Sequence, residues 1–305
     1  MAISVAQAVM LLQEHQYRPI TGNILLIGRQ TVNMEINYAM GLTESVLGVV
    51  RQPNKVVVDT QTRTAKGSNT SRAIVEKPIS DSTFFELFTD ATVTTVDVTD
   101  YEGADIIHDM TQPLPNDMVG AFDFVVDGSC LDNIADPAAA QRNFGRCLKS
   151  TGRLFQVECG SGLNSAYLMF SPEWFLDFFL FNDWADAKIY VCRAGDVQAG
   201  FGNLTNPWDV YHWSPLSPDL GSYLVKARWI MGTELIVVIA ERGGGSVDRP
   251  PIQAQYRPKH LFLDHGPTLH RWAASDRPLI KGMSDTPVHG RQETRAEHYH
   301  YCGTI

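Results

Sequence analysis

The residues with the most chemical potential follow short apolar runs. Ile27 leads into Gly28, Val96 into Asp97, Ile107 into His108-Asp109, and Val126 into Asp127-Gly128. In open parallel sheets, ligands bind outside the carboxyl ends of the strands, where the strand order reverses. A carboxylate past one strand can accept hydrogen bonds from both ribose hydroxyls. A side chain past the next can accept from an adenine amino group. Each residue alone is also an ordinary polar turn residue, so the succession of four is the signal. Three groups, one of them already named, are candidates for taking a proton in a reaction. They are Asp127, Glu158 after the run Arg153–Glu158, and His212 within the aromatic segment Trp208-Asp209-Val210-Tyr211-His212-Trp213. With Phe201, those aromatics either stack on a planar or sugar ligand or pack across the open edge of a sheet. His298-Tyr299-His300-Tyr301-Cys302 has His-x-His spacing that suits zinc or copper. At the C-terminus it reads instead as a solvated tail, and no metal is expected.

The surrounding pattern supplies elements to hold these groups. Val5, Ala8, Val9 and Leu12 recur at helical spacing behind a Ser4/Gln7 capping box. Asn23–Ile27 is apolar from Ile24 onward, as in a central strand covered on both faces. Strand-like runs follow at 93–96, 104–107, 122–126, 153–158, 187–192 and 235–240, with a short one at Val56–Val58. Lys66–Thr70 is a polar loop and Ser82–Phe88 a helical turn. Asp136-Pro137 and Ser171-Pro172 open helices. Lys149–Gly152 is a turn. Strands alternating with helices predict βαβ units and a parallel sheet. The last run has no crossover helix before it and pairs antiparallel. Residues 194–222 read as one long loop.

Bulk properties narrow the function classes. The 305 residues carry 44% hydrophobic and 19% charged residues, which predicts a folded chain with a sizeable core. A net charge of −9 argues against a nucleic-acid partner. Five cysteines at wide spacings, with no C-x-x-C, read as reduced intracellular thiols. Met1–Gln16 lacks the pattern of a secretory signal, and no apolar run approaches the ~20 residues of a membrane span. The expectation is a soluble, cytoplasmic protein with no membrane contact; a homo-oligomer stays open.

The segment from Val93 to Ser171 resembles the class I S-adenosylmethionine-dependent methyltransferases. The residues that carry it are TTVDVTDYEGADIIHDMTQPLP, FDFVVDGSCLDNIADP, GRLFQVE and FSPEWFLDFF. The resemblance spans roughly residues 20–245 and implies an α/β, Rossmann-like, mostly parallel sheet with an antiparallel late strand and helices on both faces. Residues 1–245 would form this domain, with an insertion at about 35–90 acting as a lid or partner surface, and 246–305 a C-terminal extension. It implies S-adenosylmethionine as cofactor and methyl transfer to oxygen or nitrogen of a small-molecule or glycan-like acceptor. Gly28 would lie under the methionine portion, Asp97 and Val98 at the ribose, Asp109 and Met110 beside the adenine, and Asp127 and Gly128 at the sulfonium end. One departure stands out. The family's first loop has a G-x-G-x-G motif, and here it reads Gly28-Arg29-Gln30-Thr31-Val32. Arg29 and Gln30 either reach the methionine carboxylate, Arg29 through a charge-assisted bond, or fill the pocket. The second case implies a non-catalytic interaction protein on the same fold. Roughly 70 residues separate Gly28 from Asp97, far above the ~20 of a compact dinucleotide unit, which argues against a nicotinamide dehydrogenase.

Overall fold

The computed structural model describes residues 2–59, 75–161, 166–194, 207–214, 234–250, 259–288 and 299–305, except the side chains of 259–264. The loop at 66–70, Phe201, His298 and most of 194–222 lie outside the described residues.

The centre of the fold is β2 (Asn23–Ile27). Its side chains alternate between two cores: Ile24 and Leu26 enter one, Leu25 and Ile27 the other. Such a strand needs covering on both faces. Parallel to it on one side lie β4 (Thr92–Asp97) and β5 (Ile106–Ile107). On the other side lie β6 (Phe122–Gly128) and β7 (Leu148–Cys159), also parallel. β10 (Glu234–Glu241) then pairs antiparallel with both β7 and β8 (Asp186–Arg193). The nine-stranded order is β11-β9-β8-β10-β7-β6-β2-β4-β5. Strand order reverses between β2 and β6. A small parallel pair, β1 (Ala2–Ile3) with β3 (Thr31–Val32), stands apart from this sheet.

One face is covered by α1 (Val5–Tyr17), α2 (Ile36–Leu47) and the short α3 (Asp81–Glu86). The capping box of α1 is present: Gln7 N–H donates to Ser4 Oγ at 3.3 Å, and Ser4 N–H to Gln7 Oε1 at 2.6 Å. The other face is covered by α4 (Pro137–Cys147), α5 (Pro172–Phe181) and α6 (Lys259–Ala273). Asp136 caps α4 by accepting from Ala139 N–H, with Pro137 in the first turn.

Several expectations need correction. The described part of 35–90 is no lid: Ala39, Leu42, Phe84 and Phe85 are buried in the helical layer. Val56–Val58 contributes a single bridge, Val58 to Ile79. Asp209–Trp213, expected in a loop, is β9, and Tyr299–Thr304, expected as a solvated tail, is β11 paired with it. Lys149–Gly152, expected as a turn, falls inside β7, where the β6–β7 register shifts.

A buried ion cluster ties late residues to the first helix. Arg277 bonds Glu14 of α1, Asp186 of β8 at 2.7 Å and Glu241 of β10 at 3.1 Å. Each carboxylate has a second cation: Arg153 for Glu14, Lys188 for Asp186 and Arg18 for Glu241.

Candidate functional site

The strand register sets the site. Ile27 pairs with Val96 and with Asp127, and Asp97 pairs with Ile107. The first loops after β2, β4, β5 and β6 therefore open at one end of the sheet, around the reversal of strand order. Gly28 continues the ladder, its N–H donating to Val96 O at 2.7 Å, and then turns at φ +70°. That left-handed turn is open to glycine without a Cβ penalty.

Beside it, Asp97 is half-buried at the mouth. Its Oδ1 accepts from Thr99 N–H at 3.1 Å. Val98 follows as an exposed apolar side chain. Asp109 is exposed and folded onto Thr111, whose N–H and hydroxyl both donate to Oδ1 at 2.8 Å. Those bonds hold its carboxyl below the usual range. Met110 is buried in the core beneath the mouth, and its carbonyl accepts from Asn143 Nδ2 at 2.8 Å.

The first loop is closed by its own side chains. Gln30 Nε2 donates to the carbonyls of Ile27 at 3.0 Å and Gly28 at 3.3 Å. Its carboxamide lies against Gly128: a Cβ there would sit 2.1 Å from Gln30 Oε1. The missing side chain of Gly128 thus makes room for Gln30. Arg29 pairs with Asp81 of α3 at 3.1 Å, and Gln30 N–H donates to the same carboxylate oxygen at 3.1 Å. Burial raises the Asp81 pKa, opposed by the Arg29 charge. The Gln30 carboxamide thus lies between the strand-end carbonyls of Ile27 and Gly28 and the Gly128 backbone.

Asp127 lies behind the mouth, not in it. It is fully buried, with Oδ1 accepting from Cys130 N–H at 2.8 Å and Oδ2 from Gln156 Nε2 at 3.1 Å. Its carboxylate is tucked beneath the chain leading into the 3-10 turn Leu131–Asn133 and has no exposed surface. Glu158, also fully buried, accepts from Asp132 N–H at 2.9 Å. Burial and the neighbouring Asp127 push its carboxyl well above the ordinary range.

His212 is also elsewhere. It sits in β9 opposite Tyr190 of β8 and His300 of β11. Five strand spacings of about 4.8 Å, roughly 24 Å, separate β9 from β2. Burial, helped by the Lys188 charge, lowers its pKa to about 4, so it is neutral at pH 7. His212 is too far from Gly28 and Asp97 to act with them.

Two residues missed in the sequence do stand near the mouth. Ser129, directly after β6, holds φ +72°, a conformation that costs energy for a residue with a Cβ. Its hydroxyl donates to Asp132 in a short bond. Asp132 also accepts from Cys159 N–H at 3.2 Å, and its pKa is pushed up to about 7, chiefly by burial. The Ser129-x-x-Asp132 spacing was the available signal; the strained turn was not legible.

The architecture is an α/β, Rossmann-like, mostly parallel sheet with helices on both faces, and its late strands β10 and β9 run against the parallel set. No family model matches the chain, and no curated protein matches it. Among solved structures it is similar to the CMeT domain of the citrinin polyketide synthase, at 11% identity and TM-score 0.35, covering 78% of this chain and 52% of that one. It is also similar to a Thermotoga maritima S-adenosylmethionine-dependent methyltransferase, at 13% and 0.36, covering 79% and 90%. A third is phosphoethanolamine N-methyltransferase 2 of Haemonchus contortus, at 13% and 0.37, covering 78% and 52%. The chain spans about half the length of the first and third. Among the described residues, no helix is long and apolar enough to cross a membrane.

Proposed function

We propose that the chain transfers a methyl group from S-adenosylmethionine to oxygen or nitrogen of a small-molecule or glycan-like acceptor. The observation that carries this reading is the placement of Gly28 and Asp97 directly after the paired residues Ile27 and Val96, at the adjoining ends of β2 and β4 beside the reversal of strand order. The residues fit the nucleoside half of the cofactor. Asp97 offers a carboxylate for the ribose hydroxyls, and exposed Val98 an apolar surface for the base. The other half of the crevice is held by Gln30. When bound, the cofactor supplies an electrophilic sulfonium methyl, and catalysis is then largely positioning. Ser129 stands by Gly128 with its hydroxyl on Asp132, so an acceptor proton leaves through Ser129 to a carboxylate whose pKa is near 7. The net charge of −9 favours acceptors other than nucleic acid.

Isothermal titration with S-adenosylmethionine and S-adenosylhomocysteine tests this. Binding is expected, and Asp97→Ala should weaken it by at least about tenfold. No binding of either ligand would sink the reading. The second reading, a non-catalytic interaction protein, is favoured by one observation: Gln30 and the Arg29–Asp81 pair fill the first loop. It requires that neither ligand binds even when Gln30 is truncated.

A further inference from the structure

The side chain of Gln30 is 1% exposed and half satisfied. Nε2 has its two carbonyl acceptors, while Oε1 has no hydrogen-bond partner among the described residues. Turning the amide over would set Oε1 against the carbonyl oxygens of Ile27 and Gly28, which is repulsive, so the hydrogen-bond network fixes its orientation. The carboxamide thus occupies the crevice between the ends of β2 and β6 and keeps two strand-end carbonyls busy. Its hold is one-sided. The backbone end is anchored by Asp81, but the buried Oε1 gains a partner only by leaving. Leaving frees the carbonyls of Ile27 and Gly28, and two such oxygens side by side suit an ammonium donor.

We propose that Gln30 is a displaceable plug that sets ligand specificity at the mouth of the sheet. Adenosine-type ligands without an amino-acid tail bind beside Asp97 with the plug in place. Ligands with a charged α-amino acid tail bind only by swinging it out. This rests on the adenosyl reading of the site given above. The plug is a specificity-determining group, placed where that fold's loop motif has glycine, and it discriminates by occupying space rather than by adding contacts.

The test uses isothermal titration of the full chain with two probes, 5′-methylthioadenosine, which has no tail, and S-adenosylhomocysteine, which has one. The wild type should bind methylthioadenosine at least as tightly as S-adenosylhomocysteine. Gln30→Ala should tighten S-adenosylhomocysteine by about tenfold or more and leave methylthioadenosine within about twofold. Gln30→Ser, shorter but polar, gives the same expectation should the alanine variant misfold. If methylthioadenosine binds but Gln30 truncation leaves S-adenosylhomocysteine unchanged or weaker, the plug is overturned and the adenosyl site survives. If neither probe binds wild type or variant, the adenosyl reading falls and the plug with it.

Discussion

Replacing Arg277 with methionine should be among the most damaging single changes in this protein outside the hydrophobic core. The guanidinium is 2% exposed and serves three carboxylates on three elements, with Glu14, Asp186 and Glu241 all bonded to it. It also lies 4.8 Å from the centre of the Tyr17 ring. Removing one partner of a buried pair costs about 3–5 kcal/mol because a desolvated charge is left behind. Here each carboxylate keeps a second cation, Arg153, Lys188 or Arg18, and methionine fills much of the aliphatic volume. The expectation is therefore the lower end, about 3 kcal/mol. For a chain of this size that lowers the melting temperature by roughly 5–10 °C. Arg18→Met is the internal control. Arg18 contacts the same Glu241 at 2.7 Å, but its side chain is 38% exposed, so its loss should cost less than about 1 kcal/mol. Urea unfolding followed by circular dichroism gives both values. Equal and small effects of the two substitutions would refute the reasoning, since they would show that burial adds nothing to the Arg277 contacts.

Three further outcomes follow from the site. Asp132 has its pKa raised from 3.8 to about 7, so the folded chain holds that proton where the unfolded chain has lost it. Its contribution falls as pH rises from about 4 to about 7, by on the order of 4 kcal/mol in all; urea midpoints across that range should drop, and Asp132→Asn should flatten the drop, while an unchanged slope would exclude Asp132 as its source. Gly128→Ala should cost about 1–3 kcal/mol against the Gln30 carboxamide and far less in a Gln30→Ala background, and additive effects in the double-mutant cycle would show that the two sites do not touch. His212→Phe should leave S-adenosylhomocysteine affinity unchanged by titration calorimetry, and a loss above about tenfold would bring His212 back to the site.

Much of the fold was legible because β2, β4, β6 and β7 follow local rules. Apolar runs ended by glycine or acid, with capped helices between them, need no distant information. β9 and β11 were not legible for the opposite reason. Asp209–Trp213 gains its last neighbour from Tyr299–Thr304, and neither segment alternates cleanly enough to announce a strand. At the site, Gly28 and Asp97 were placed by the strand-end rule alone. Asp127 obeyed the same rule and still pointed inward, because Cys130 N–H and Gln156 drew its carboxylate under the turn. No local pattern marks Asp81 as the partner of Arg29, since a separate helix must fold back to supply it. The role of Gln30 depends on the absence of a side chain at Gly128, roughly 100 residues later, which only the β2–β6 pairing brings together.

The ion cluster around Glu14 also orders events during synthesis. Arg153 emerges first and can neutralise Glu14 as β7 joins the sheet. Arg277 follows roughly 120 residues later, which at 5–20 residues per second is a wait of roughly 6–24 s. Until then Glu14 has Arg153 as its partner, and Asp186 and Glu241, once made, have Lys188 and Arg18. The strands of the parallel half are thus all made before the residue that joins the first helix to the two late strands β8 and β10.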